Sequence, residues 1–283
     1  MDIKASDIKD LREKTGAGMM DCKKALVEAG GVYAAAEKLL REWGMAGVEK
    51  RAGRATNEGR VFIKEADGAV SLVEIACETD FVAKNDDFIA AGNKMAALVM
   101  EKGWTGPTPE LENTVKEMAA VIKENITLKR VFLVKAGSGE YVHSYIHGVG
   151  KLGVIVTVKA DKAEAFANAG VKAFSHDVAL HIAAFNPMFL DQSKPAPEWI
   201  REQEEIFQKQ VELDEKMKTK PANVIQGILK GKLKKLMSDI CLVDQGFVKD
   251  EKMTVAAAMA LAGKAAGATL HIVEYKYIKV GEA

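Results

Sequence analysis

The segment Glu78-Thr79-Asp80-Phe81-Val82-Ala83-Lys84-Asn85 carries the side chains best placed to act on something outside the chain. The bulky apolar Phe81 directly follows the carboxylate of Asp80, after an apolar strand-like stretch and before a helical one. No base, nucleophile or metal-ligand spacing accompanies the pair, so bond-making chemistry is not what it suggests. An acid joined to an aromatic reads as a probe that enters another protein. The residues alone leave a second reading open, in which Phe81 caps the core of its own hairpin and Asp80 caps the following turn.

Other candidate chemistry fails on spacing. Gly148-x-Gly150-x-x-Gly153 formally matches a dinucleotide fingerprint, but Gly153 leads into Val154-Ile155-Val156-Thr157-Val158, a strand. A pyrophosphate needs a helix N-terminus at that point, so these glycines are predicted to shape a hairpin turn. No phosphate loop exists, since Gly231-Lys232 continues with Leu233 and Gly263-Lys264 with Ala265. His176 and His181 fall on different helix faces, and His143 and His147 lie about 13 Å apart along a strand. These four and His271 are expected to be surface or satisfied core histidines, although His147, just before Gly148, can reach outward. Cys22, Cys77 and Cys241 are odd in number and widely spaced, against both a disulfide framework and a zinc site. Cys77 is expected to be a small buried hydrophobe. No metal and no cofactor is expected.

The elements that must position Asp80 and Phe81 come next. Residues 1–53 read as three short helices: one capped by Ser6, one from Met19 to Ala29 closed by Gly30-Gly31, and one from Val32 to about Met45. The polar run Lys50–Glu58 follows, with residues 54–58 as a linker. Val61 to Ala76, across Asp67-Gly68, is predicted to be a β-hairpin. Helices are expected from Asp86, with Asn85 as cap, to Glu101 and from Glu110 to Asn125, then a strand from Leu128 to Ala136. The order recurs: a second hairpin, Tyr141–His147 with Leu152–Val158, precedes a long helix from Lys162 to Ala184. Residues 59–139 therefore form one core subdomain, and 140–186 with 238–283 a second one that includes a C-terminal module. Residues 187–237 read as a helical hairpin whose apolar stripe, including Trp199, Ile200, Ile206 and Val211, either packs internally or meets a partner. Thr254 caps an Ala-rich helix, and Ala268–Val280 is a closing strand. The predicted class is α+β, with a duplicated core and antiparallel sheets.

Composition narrows the partners. Among 283 residues, 40 basic and 40 acidic side chains cancel, so no global field draws the chain to nucleic acid or anionic lipid. The basic clusters Lys50-Arg51-Arg54 and Lys230–Lys235 hold no aromatic residue for stacking and read as solvated helix faces. No apolar run reaches the ~20 residues of a membrane span, and the N-terminus has no signal core, so a cytoplasmic location is expected.

Two long segments carry a specific likeness. Leu11-Arg12-Glu13-Lys14-Thr15-Gly16-Ala17-Gly18-Met19-Met20-Asp21-Cys22-Lys23-Lys24-Ala25-Leu26 and Glu78–Asn85 resemble the two signatures of the translation elongation factor Ts family. Tyr145-Ile146-His147-Gly148, Leu152-Gly153-Val154 and Gln245-Gly246-Phe247-Val248 extend the resemblance in the same order over essentially the whole chain. It implies a ubiquitin-associated-like N-terminal module, a duplicated α+β core and a protruding helical hairpin used for dimerisation. It also implies a guanine-nucleotide exchange factor, not an enzyme, for GDP-bound and nucleotide-free elongation factor Tu. Thr79, Asp80, Phe81 and Val82 would form a wedge that displaces the elements holding Mg²⁺. Lys9, Arg12, Met19, Met20 and Lys23 would grip the partner's G domain, and His147 another of its domains. The chain departs from the family at Lys123, where a glycine is common before Glu124-Asn125-Ile126, and at Gly246, where proline is common.

Overall fold

A computed structural model describes residues 3–66, 68–214 and 220–282. Contacts divide the chain into two compact units: Met1–Lys135 with Ile146–Gly153 and Ile278–Ala283, and Ala136–Tyr145 with Val154–Tyr277.

The first unit begins with α1 (Ala5–Thr15), α2 (Met19–Glu28) and α3 (Tyr33–Arg51). Ile8, Leu11, Cys22, Ala25, Leu26 and Ala36 meet between them, with Leu39, Leu40 and Trp43 packed alongside. Ser6 is not the cap: α1 starts at Ala5 with Lys4 at the N-cap, two residues earlier, and the Asp7 carboxylate accepts the Lys4 backbone N–H at 3.1 Å. The hairpin follows as β1 (Glu58–Ala66) and β2 (Ala69–Cys77), antiparallel, turning at Gly68 with φ 72°. Asp67, the other residue of the expected turn, lies outside the described residues. After β2 come the single turn α4 (Asp80–Ala83), then α5 (Asp86–Lys102), α6 (Pro109–Ile122) and β3 (Ile126–Lys135). Asn85 caps α5 as expected, accepting from the Asp87 and Phe88 amides at 2.9 and 3.1 Å. Strand β3 pairs antiparallel with β2, giving the order β1-β2-β3. Helices α5 and α6 pack on this sheet through Phe88, Met95, Val99, Leu111 and Val115, against Phe62, Val73 and Ile75. Each large side chain so buried contributes roughly 1.5–3 kcal/mol.

Two boundaries differ from expectation for stated reasons. Helix α3 runs through Gly44 to Arg51 instead of stopping near Met45. Gly44 is there for a close approach: a Cβ on it would lie 2.8 Å from the Cβ of Ala120 in α6. The polar run from Lys50 is thus partly the last turn of α3, and Glu58 already belongs to β1. Helix α6 ends at Ile122 rather than Asn125, because Lys123 takes the left-handed conformation with φ 67° and turns the chain.

The second unit holds most of a sheet of order β4-β5-β8, from β4 (Glu140–His147), β5 (Leu152–Ala160) and the last strand, β8 (Leu270–Lys279). Each of the two sheets is a hairpin joined by a strand that returns after helices, which is the repeated order expected. Between β5 and β8 lie α7 (Ala169–Phe185), α8 (Pro197–Leu213), α9 (Ala222–Ile240), the small ribbon β6 (Gly246–Phe247) with β7 (Asp250–Thr254), and α10 (Val255–Ala265). Helix α7 starts later than expected, because Asn168 caps it by accepting from Gly170 N–H at 2.8 Å, and Ala163–Ala167 is a 3-10 turn. Thr254 caps α10 as expected, accepting from Ala257 N–H at 3.1 Å. Helices α8 and α9 form the expected hairpin; Met217, within the predicted first helix, lies outside the described residues. The chain is a mixed α+β protein, and among the described residues no helix is long and apolar enough to cross a membrane.

Candidate functional site

The turn α4 is built by its neighbours. Thr79 sits at its N-cap, with Oγ1 accepting from Val82 N–H at 3.4 Å. The Cys77 thiol donates to the Thr79 carbonyl at 3.2 Å, and burial pushes that thiol up to about 12. Cys77 is thus the small buried hydrophobe expected, with its thiol hydrogen-bonded inside the turn. Arg60 donates to the Ala83 carbonyl at 3.4 Å. Ala83 is buried and Val82 packs half-buried on the core under β2. Val82, which the resemblance groups with the wedge, thus packs toward the core in the free chain.

Phe81 points the other way. Its side chain is 81% exposed, so the reading in which it caps its own hairpin core is overturned. The adjacent Asp80 binds Lys84 Nζ at 2.7 Å, one helical turn on. That hydrogen bond holds the Asp80 carboxyl below its usual range and raises Lys84. Asp80 is therefore ionised, as well as pinned, at neutral pH.

A hollow of about 310 Å³ beside the turn is lined by Asp80, Lys84, Ile89, Val149 and Lys151, among others. Val149 is 72% exposed and holds φ 49° between Gly148 and Gly150, an uncommon conformation for a β-branched residue. Gly150, with φ 91°, lies close against Arg60, since a Cβ there would lie 2.4 Å from Arg60 Cγ. The glycine motif is thus a turn from β4 into β5, with no helix N-terminus to bind phosphate. His147 closes β4 just before this turn and is exposed.

Residues Lys9, Arg12, Met19, Met20 and Lys23 are all exposed on α1 and α2. Met20 is 75% exposed and Met19 47%, so neither belongs to the buried core of the three helices. Lys9 pairs with Glu13 across one turn at 3.6 Å.

His143 and His176 share a hydrogen bond at 3.1 Å, and His181 is a buried, satisfied core histidine. Among the described residues no group of three His, Cys, Asp or Glu side chains could hold a metal ion. The basic patch on α9 is engaged in part within the hairpin, where Lys232 donates to Gln210 at 3.0 Å.

Sequence reasoning passed over two residues here. Val149 had a weak signal in its flanking glycines. Glu124 had only its place in the family-like segment Glu124-Asn125-Ile126, which says nothing of its contacts, because what it binds lies 45 and 46 residues away. Its carboxylate accepts from the Glu78 and Thr79 amides at 3.1 Å each, and from Thr79 Oγ1 at 2.6 Å.

Comparison with known proteins adds an independent line. The family model described as Elongation factor TS matches residues 78–282. The chain is 47% identical over 282 residues to a protein named Elongation factor Ts from Treponema denticola, covering 99% of both chains. It is 42% identical over 282 residues to the protein of that name from Borrelia hermsii, covering 99% of this chain and 100% of the relative. It is 41% identical over 292 residues to the one from Treponema pallidum, covering 99% of both.

Proposed function

Because this chain belongs to the elongation factor Ts family, we propose that it promotes GDP release from elongation factor Tu during translation elongation in the cytoplasm. The observation that carries the reading is Phe81: a large apolar side chain left 81% in water on a turn whose other members are anchored. A solvated aromatic gains free energy when it enters an apolar slot, and a tethered turn loses little entropy in delivering it.

In this reading Phe81 is the wedge, and the ionised, Lys84-pinned Asp80 orients it beside the switch helix of the GTPase. Insertion displaces the elements that hold Mg²⁺. Such an ion would neutralise phosphate charge on the nucleotide, so loosening the groups that hold it would speed GDP departure. Lys9, Arg12, Met19, Met20 and Lys23 form a second contact, in which the two exposed methionines supply an adaptable apolar surface. His147 is a third contact. The protein binds both GDP-bound and nucleotide-free Tu and favours the latter. Linkage then requires that it weaken nucleotide binding by the same factor. No bond is made or broken, and the role is that of an exchange factor, not an enzyme. The hairpin of α8 and α9 is read as a self-association element.

The test is stopped-flow release of a fluorescent GDP analogue from elongation factor Tu, with and without this protein. Acceleration by orders of magnitude supports the proposal. Binding without acceleration refutes it in favour of a scaffold role.

A further inference from the structure

Three consecutive residues between α6 and β3 hold three different pieces of the first unit. Lys123 is ion-paired to Asp21, the residue after Met19-Met20. Glu124 takes the Glu78 amide, the Thr79 amide and the Thr79 hydroxyl. Asn125 donates its backbone N–H to Glu78 Oε1 at 2.6 Å, and its side chain donates to the carbonyls of Ala52 and Arg54 at 3.3 and 2.7 Å. The exit of α3, the start of α2 and the base of α4 are thus tied to one short connector.

We propose that Glu124 is a positioning residue for nucleotide exchange: its carboxylate is the latch that sets the angle at which α4 presents Phe81. The proposal rests on the exchange reading above. Charge-assisted bonds to two successive backbone amides fix the orientation of a peptide plane, not merely its location. The latch is reciprocal, since Glu124 holds the chain at Glu78 and Glu78 holds the chain at Asn125. Beyond the latch, Val82 and Ala83 keep the turn seated on the core. Without Glu124 the turn therefore stays docked but pivots about Glu78, and the wedge misses its slot. The same connector ties Asp21, so the two outward-facing sites keep a fixed mutual register.

The geometry distinguishes substitutions. Gln at 124 keeps the length; its carbonyl can accept both amides and its NH₂ can donate to Thr79 Oγ1. Asp stops one methylene short, and Ala removes the latch. The experiment measures the limiting rate of fluorescent GDP release from elongation factor Tu at saturating protein, the concentration at half-saturation, and hydrogen exchange of the peptide spanning 77–82. For E124A the limiting rate is expected to fall on the order of ten- to a hundredfold, as for a displaced reactive group. Half-saturation should move by less than about threefold, since the second contact site is untouched. E124Q should restore the rate to within about threefold of the unsubstituted protein. Hydrogen exchange in 77–82 should quicken in E124A and recover in E124Q. If E124A does not fold, E124D carries the same expectation.

A folded E124A or E124D with the full limiting rate overturns the proposal, as does a loss confined to half-saturation. If the unsubstituted protein does not accelerate release at all, the exchange reading fails. The hydrogen-exchange arm still judges the latch, which is overturned by unchanged protection in E124A.

Discussion

Replacing Phe81 by Ala separates a residue kept for the fold from one kept for a partner. Fully burying a Phe side chain is worth about 1.5–3 kcal/mol. With 81% of Phe81 exposed, roughly four-fifths of that, about 1.2–2.4 kcal/mol, is still to be gained on insertion. If the gain is realised in the step that releases nucleotide, F81A slows that step roughly eight- to sixtyfold, taking a 1.36 kcal/mol change as tenfold. The fold should hardly respond. Little apolar area is lost from the core, Ala is the better helix former, and surface changes of this kind stay within about 0.5 kcal/mol. The assay pairs stopped-flow GDP release from elongation factor Tu with thermal unfolding of the isolated protein. An unchanged exchange rate with an unchanged melting temperature would refute the wedge. A drop of several degrees in melting temperature would refute the premise that Phe81 stands clear of the core.

Four further substitutions have expected outcomes set by the packing. Gly44→Ala should destabilise by about 1–2 kcal/mol, because its Cβ would meet that of Ala120 at 2.8 Å and the overpacking outweighs the gain in helix propensity. Gly231→Ala, with open space at that position, should instead stabilise by about 0.5–1 kcal/mol; urea unfolding of both variants checks the opposite signs. The buried His181 accepts the Val248 N–H at Nδ1 and so donates from Nε2 to Gln245, and burial holds its pKa below the ordinary value. The unfolded chain then binds the extra proton first, so stability should fall as pH drops below about 6.5, and His181→Gln should flatten that slope in unfolding titrations. Leu213, 82% exposed near the hairpin tip, should support self-association, so Leu213→Glu should lower the mass seen in sedimentation; equal mass for both proteins would discard the hairpin as a dimer element.

Local chemistry was legible in the chain and long-range geometry was not. Asn85 and Thr254 announce their helices, because a cap needs only a polar side chain two or three residues from the amides it serves. The hairpin Glu58–Cys77 shows in the Asp67-Gly68 pair between two apolar runs, and the closing strand Leu270–Lys279 in its apolar alternation. Gly44 misleads, since by propensity it should weaken a helix, and only Ala120 on a neighbouring helix explains it. Ser6 misleads similarly, because the carboxylate of Asp7 already serves the backbone at Lys4. Phe81 was legible as unusual but not as exposed, for an aromatic beside an acid can face either way. Glu124 was legible only as part of the family-like segment Glu124-Asn125-Ile126; its contacts were not, because they form only when β3 lies against β2.

That dependence bears on why the turn is built as it is. An exposed phenylalanine on a loose loop would spend most of its time collapsed on nearby apolar surface. Recovering it for a partner would then cost the entropy of ordering several residues, roughly 1–2 kcal/mol each for the backbone alone. Here the amides of Glu78, Thr79 and Val82 are satisfied within the molecule, Ala83 is buried, and the Asp80 carboxylate is paired to Lys84. The turn has no unmet backbone donor among these that folding back could serve, so extension of Phe81 carries no competing polar gain. Ordering has been completed in the free protein, at the expense of one solvated aromatic ring worth about 1.2–2.4 kcal/mol. That sum is smaller than the ordering cost of even three mobile residues. A preformed wedge therefore delivers more of its burial energy to the partner than a flexible one would, which makes the latch as consequential as the phenylalanine it holds out.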